Sequence, residues 1–164
     1  MNAVLPHVRG RLLDVGAGAN TLVKRYGNGV GVDVFDWGGG ALVVEDSSKL
    51  PFPDKEFDTV TFLACLNHIP YREAALREAH RLLRDDGLLL ITMINPVLGY
   101  IGHKIFWWYS EDKVRGMQPG EVDGLWSSEL TELCGRAGFD VVEHKTFVYG
   151  LNHLYVAQKT SDGA

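Results

Sequence analysis

The chain has 164 residues, 46% hydrophobic and 23% charged, with a formal net charge of −5. This suits one globular domain and excludes a disordered or collagen-like chain. The acidic balance argues against coating nucleic acid through clustered Lys and Arg, so no nucleic-acid partner is expected. No apolar run reaches the ~20 residues of a membrane span. The N-terminus shows no basic region followed by an apolar one, and a cytoplasmic protein is the expectation. Cys65 and Cys134 are too few for a disulfide framework or a CxxC zinc pair, and read as two buried, reduced thiols.

In chain order, Arg11–Val15 is a short apolar strand running into glycines. Asn20–Tyr26 is a short helix with Asn20 as N-cap. Val30–Val34 and Ala41–Glu45 are further strands, Ser47–Glu56 a Pro-bounded loop, and Phe57–Ala64 a fourth strand. Tyr71–Arg84 is the clearest helix, with Ala75, Leu76, Ala79, Leu82 and Leu83 on one face. Asp85-Asp86-Gly87 is expected to stop it, and Leu88–Ile94 is a near-continuous apolar strand of the kind covered on both faces. Ser127–Ala137 is a last helix with Ser127 as N-cap and Gly138 as its C-terminal stop. Phe139–Val148 and Leu151–Lys159 form a hairpin about Tyr149-Gly150. Alternating strands and helices imply an α/β, doubly wound, mostly parallel sheet of Rossmann-like type, closed by an antiparallel hairpin. Such a sheet binds ligands beyond the carboxyl ends of its strands, where strand order reverses.

The first strand ends in Asp14-Val15-Gly16-Ala17-Gly18-Ala19-Asn20. Glycines there let a ligand touch backbone at a helix start. Asp33 follows Asp14 by 19 positions, the place of an acidic residue that holds ribose hydroxyls. Two ligands compete, a dinucleotide and S-adenosylmethionine. A dinucleotide asks for G-x-G-x-x-G, yet the third glycine position is Thr21, and Asp14 would stand close to the pyrophosphate. S-adenosylmethionine has no phosphate and carries positive charge, so charge favours it.

LLDVGAGAN, GVDVFD, VEDSSKLPFPDKEFDTVTFLACLNHI and REAALREAHRLLRDDGLLLITMINP occur in that order. Together they resemble a class I S-adenosylmethionine-dependent methyltransferase of the small-molecule, quinone-biosynthesis-like branch. The resemblance is strong over 12–96, weak over 97–124, and returns at the last helix and hairpin. It implies that Asp14, Gly16, Ala17, Gly18 and Asn20 hold the methionine part of the cofactor. It implies that Asp33, with Val34 beside it, binds the ribose. Asp46 and Ser47 would stand beside the adenine, and Leu63 and Ala64 would line the methionine. Asn20 replaces the usual third glycine, which its tolerance of left-handed backbone permits. The helical extension common before the first strand is short or absent here, and Gly38-Gly39-Gly40 takes the place of a longer helix. That side of the site is expected to be open.

His68 is the best general-base candidate, because imidazole titrates near neutral pH; its competing reading is a packing or turn-capping histidine. His103, Trp107, Trp126 and His153 are candidate acceptor contacts, and Glu121 and Asp123 are weaker ones. No histidine spacing supports a metal site. The chain is read as one domain over 1–164, with 95–126 an aromatic-rich acceptor-side insertion or lid. Within it, 97–109 is a candidate lipid contact. The expected activity is methyl transfer to a small molecule, such as a lipid-linked or sugar-pathway metabolite. The alternative is an inactive S-adenosylmethionine-binding module acting with a partner protein.

Overall fold

The computed structural model describes residues 1–94, 120–122 and 124–160. Seven strands form one sheet in the order β3-β2-β1-β4-β5-β7-β6. They are β1 (Leu12–Val15), β2 (Gly29–Asp33), β3 (Leu42–Val43), β4 (Phe57–Leu63), β5 (Leu83–Ile94), β6 (Phe139–Phe147) and β7 (Asn152–Lys159). The first five are parallel to one another where they pair, and β7 runs antiparallel to both β5 and β6. This is the expected α/β sheet with its closing hairpin. Strand order reverses between β1 and β4, and that reversal opens a crevice at their carboxyl ends.

Three described α-helices cover the sheet: α1 (Thr21–Tyr26), α2 (Arg72–Leu82) and α3 (Ser127–Arg136). Side-chain alternation decides which face each strand residue serves. Leu89, Ile91 and Met93 of β5 join the main core with Leu76 and Leu82 of α2 and Leu130 and Leu133 of α3. Leu90 turns the other way, to Leu154, Val156 and Val4. A strand filled on both faces loses its polar alternation, which is why β5 reads as unbroken apolar sequence. The start of α1 lies on the second face. Gly31 pairs with Asp14 there, and a Cβ at Gly31 would stand 2.2 Å from Asn20 Oδ1.

Several local expectations change. Helix α2 ends at Leu82, and Asp85-Asp86-Gly87 lies inside the strand span instead of stopping the helix. Leu83 pairs with Phe57 and Leu88 with Thr59, so two steps along β4 match five along β5. Those extra residues form a bulge, with Lys55 Nζ 2.8 Å from the Asp85 carboxylate. Leu83 continues the helical apolar spacing, but its fully buried side chain belongs to the sheet. Strand β3 pairs at only two residues, both exposed, as suits a short edge. Asn20 adopts the expected left-handed backbone (φ 59°) but makes no side-chain cap. Its Nδ2 instead donates to the Gly40 carbonyl at 3.3 Å. The N-cap of α3 is Trp126, not Ser127. The Glu129 carboxylate accepts the Trp126 N–H at 2.8 Å, and the Ser127 hydroxyl lies 2.7 Å from that of Tyr155. Gly138, at φ +85°, follows α3 as expected.

Ile91 is fully buried in β5, an interior strand of the sheet. Ile91→Ala is therefore expected to lower stability by about 2–5 kcal/mol, read from the urea midpoint with an unchanged m-value.

Candidate functional site

The crevice between β1 and β4 widens into a cleft of about 630 Å³. Nine of the residues singled out in sequence line it: Gly16, Gly18, Asp33, Val34, Asp46, Ser47, Leu63, Ala64 and His68. They arrive from four separate segments because parallel strands deliver their carboxyl ends to one edge of the sheet.

The glycine loop is pinned before it turns. The N–H groups of Gly16 and Ala17 both donate to the Val32 carbonyl, at 2.9 and 3.0 Å. Gly18 N–H then donates to Asp33 Oδ2 at 2.8 Å, while Phe35 N–H donates to Asp33 Oδ1 at 3.1 Å. Gly16 and Gly18 have φ of +71° and +52°, the left-handed region that favours glycine. A Cβ at Gly16 would stand 2.6 Å from Cys65 Cβ, whereas one at Gly18 would meet open space. The loop therefore presents bare backbone, with a carboxylate fixed beside it. Each Asp33 oxygen accepts one backbone N–H and keeps a further lone pair for a ligand donor.

Asp14, Ala17 and Asn20 do not line the cleft; they support its wall. Asp14 is buried, and its carboxyl accepts the Thr61 hydroxyl at 2.6 Å. Burial pushes its pKa up to about 7, against the lowering effect of Thr61, and the charge of Asp33 adds to the rise. Cys65, expected to be buried, is half-buried: it packs against the main core and also lines the cleft, while its Sγ donates to the Val15 carbonyl at 3.0 Å. Burial of the thiol, followed by the charges of Asp14 and Asp33, pushes its pKa well up, so it is no thiolate nucleophile. Cys134 is buried as expected. Asp46 Oδ1 accepts both the N–H and the hydroxyl of Ser48, at 2.8 and 2.7 Å. Those bonds hold its carboxyl below the usual range.

His68 closes a short 3-10 turn (Leu66–His68) after β4. Its Nδ1 faces Glu121 Oε2 at 3.6 Å, with the His68 side chain 24% and the Glu121 side chain 1% exposed. This distance is an ion-pair separation, longer than a formed hydrogen bond. Two expected acceptor contacts stand elsewhere. Trp126, 51% exposed at the start of α3, is not among the lining residues. His153 lies on β7, its Nδ1 2.8 Å from His144 Nε2 and its ring nearly parallel to that of His144. The hairpin register, not the cleft, sets its neighbours. His103, Trp107 and Asp123 lie outside the described residues, as do 97–109.

Sequence reasoning missed Trp37, Glu45, Ile69, Pro70 and Tyr71, which complete the wall. Trp37 packs against Phe35 with ring centroids 4.8 Å apart. Gly38 and Gly40 of the tract after it face open space, while Gly39 lies directly against the glycine loop, where a Cβ would stand 2.3 Å from the Ala19 backbone.

The chain matches the methyltransferase-domain family over residues 3–144. It is 34% identical over 93 residues to an uncharacterized protein of Methanocaldococcus jannaschii, covering 51% of this chain and 37% of that one. It is 32% identical over 103 residues to the ubiquinone/menaquinone biosynthesis C-methyltransferase of Pseudomonas fluorescens, covering 49% and 40%. The matched part thus spans about two-fifths of those relatives' length. Among solved structures, the chain resembles a possible histamine N-methyltransferase of Thermotoga maritima, with a TM-score of 0.71, 20% identity, and coverage of 93% and 84%. It also resembles the 1,6-didemethyltoxoflavin-N1-methyltransferase of Burkholderia thailandensis, solved with its substrate and S-adenosylhomocysteine. There the TM-score is 0.68 and identity 23%, with coverage of 97% and 76%. At these identities, the structural likenesses show a shared fold.

Among the described residues, no helix is long and apolar enough to cross a membrane, and no three His, Cys, Asp or Glu side chains cluster to hold a metal.

The raised pKa of Asp14 has a stability consequence of definite sign. Between the ordinary carboxyl value and about 7, native Asp14 keeps a proton that the unfolded chain has released. The native state therefore binds more protons, and its stability falls as pH rises through that window. Asp14→Asn removes this dependence and can still accept from Thr61. Relative to wild type, the variant is expected to gain about 1–4 kcal/mol between pH 5 and pH 8. Urea titrations at both pH values check it, and a pH-independent difference would exclude Asp14 as the cause.

Proposed function

The chain belongs to the methyltransferase-domain family, and on that premise we propose that it is an S-adenosylmethionine-dependent methyltransferase acting on a small-molecule acceptor. The observation that carries this reading is the Gly18–Asp33 bridge at the cleft, where glycine backbone without a side chain and a fixed carboxylate stand side by side. The cleft fits the cofactor chemically. Open space over Gly18 leaves room for a ligand against the backbone. Two carboxylates on the wall, Asp33 and Asp46, suit a neutral diol and an amine, whereas they would repel a pyrophosphate.

In this reading Asp33 accepts from the ribose hydroxyls, with Val34 beside the sugar. Asp46 accepts the adenine amine, with Ser47 next to it. Leu63 and Ala64 line the methionine end. Ala64 holds φ +53°, an uncommon backbone state for a residue with a side chain and one that clusters at functional sites. Asp14, Ala17 and Asn20 support the loop from behind. S-adenosylmethionine supplies a methyl group on a positively charged sulfur when bound. The chain's part is to orient that methyl, exclude water and take up a proton where the acceptor must lose one. In this reading His68, which lines the cleft, takes it. The quinone-biosynthesis name of the Pseudomonas fluorescens relative supports a lipid-linked metabolite over a sugar-pathway one.

Calorimetric titration with S-adenosylhomocysteine tests the reading. Wild type is expected to bind, and Asp33→Ala to weaken binding at least tenfold (~1.4 kcal/mol). Absence of binding by folded wild type, or preference for a dinucleotide, would overturn it.

A further inference from the structure

Glu121 is held against the His68 turn from both sides. Val122 N–H donates to the Asn67 carbonyl at 3.0 Å, and Asn67 Nδ2 donates back to the Val122 carbonyl at 3.2 Å. The Arg72 guanidinium donates to the Gly120 carbonyl at 2.7 Å and to the Asn67 carbonyl at 3.3 Å. Asn67 precedes His68 and Arg72 opens the following helix, so residues 120–122 are fastened across the segment that carries the imidazole. The result is a carboxylate 1% exposed whose Oε2 stands 3.6 Å from His68 Nδ1. A carboxylate this deeply buried is costly unless it faces positive charge. Arg72 supplies part of that charge to Glu121, and a protonated His68 would supply more.

We propose that Glu121 is a positioning residue for His68, and that the acceptor carries a weakly acidic hydroxyl, as a phenol or enol does. This rests on the methyltransferase reading above. The negative charge of Glu121, 3.6 Å from Nδ1, favours the ring proton on Nδ1 and leaves the lone pair on Nε2, so Nε2 is the basic atom. In the step, Nε2 takes the hydroxyl proton and the acceptor oxygen forms a bond to the methyl carbon. The sulfur–methyl bond breaks, and its electron pair stays on sulfur, leaving a neutral thioether. The imidazolium that remains is offset by the Glu121 carboxylate. An acceptor that is already a thiolate or a neutral amine needs no such base.

Two readouts test this on the whole chain. Nitrogen-15 NMR of the histidine rings, with His68→Gln to assign the signal, reads which nitrogen holds the proton, with and without S-adenosylhomocysteine. Wild type is expected in the Nδ1–H form, and Glu121→Leu is expected to shift to Nε2–H. Methylation of 2-naphthol is then compared with that of 2-naphthalenethiol, which is largely ionised near neutral pH. Glu121→Gln is expected to slow the naphthol reaction at least tenfold and the thiol reaction less than threefold, with S-adenosylhomocysteine affinity within threefold of wild type. A wild-type ring protonated on Nε2, or equal losses on both probes, would overturn the positioning role. A wild type that methylates the thiol but not the naphthol, or neither, would overturn the acceptor class. Failure of wild type to bind S-adenosylhomocysteine would instead remove the methyltransferase reading, while the free-chain tautomer still decides whether Glu121 holds His68.

Discussion

One hydrogen bond joins the two halves of the candidate site. The Gly18 N–H donates to Asp33 Oδ2 at 2.8 Å, tying the loop after β1 to the end of β2. The bond requires Gly18 to turn left-handed and Asp33 to end its strand one residue past Val32, the partner of Val15. The parallel pairing of Asp14 with Gly31 and Val15 with Val32 sets that register. Slipping the pair by one residue would turn Asp33 to the opposite face of the sheet. The two backbone bonds to the Val32 carbonyl hold the loop at the same point. The cleft therefore depends on strand pairing at its base, where the core is driest.

The electrostatics follow from the same placement. Asp14 and Asp33 end adjacent parallel strands, and Cys65 packs under Gly16. Burial and mutual repulsion push both Asp14 and the Cys65 thiol toward their neutral forms. Asp46, held by the N–H and hydroxyl of Ser48, is pushed the other way and stays charged. Local solvation and hydrogen bonding thus push two carboxyl groups of one cleft in opposite directions, Asp14 up and Asp46 down. A cationic ligand fits this field better than an anionic one.

The far wall is built differently. Residues 66–72 make a turn and a helix start, and 120–122 close over them through Asn67 and Arg72. Side chains carry these contacts, and they join points more than 45 residues apart in sequence. They place Glu121 beside His68, a pairing that neither segment displays alone.

The strands, the mostly parallel sheet and its closing hairpin were legible because their causes are local and periodic. Unbroken apolar residues mark β5, helical spacing marks α2, and the turn through Tyr149 and Gly150 marks the hairpin. The glycine loop and Asp33 were legible because bare backbone and a carboxylate at that spacing serve one chemistry. Tertiary structure decided the rest. Leu83 keeps helical spacing but enters the sheet, because pairing with Phe57 buries it there. Cys65 looks like a core residue, yet it also lines the cleft, packed against the bare backbone of Gly16 where a Cβ could not stand. His153 has the chemistry of a site residue, but the hairpin register stacks it on His144. Periodicity and residue type determine what a segment can form, since they act within a few residues of chain. Which distant groups meet depends on loop closure and on the packing of whole elements, and neither is encoded within a single segment.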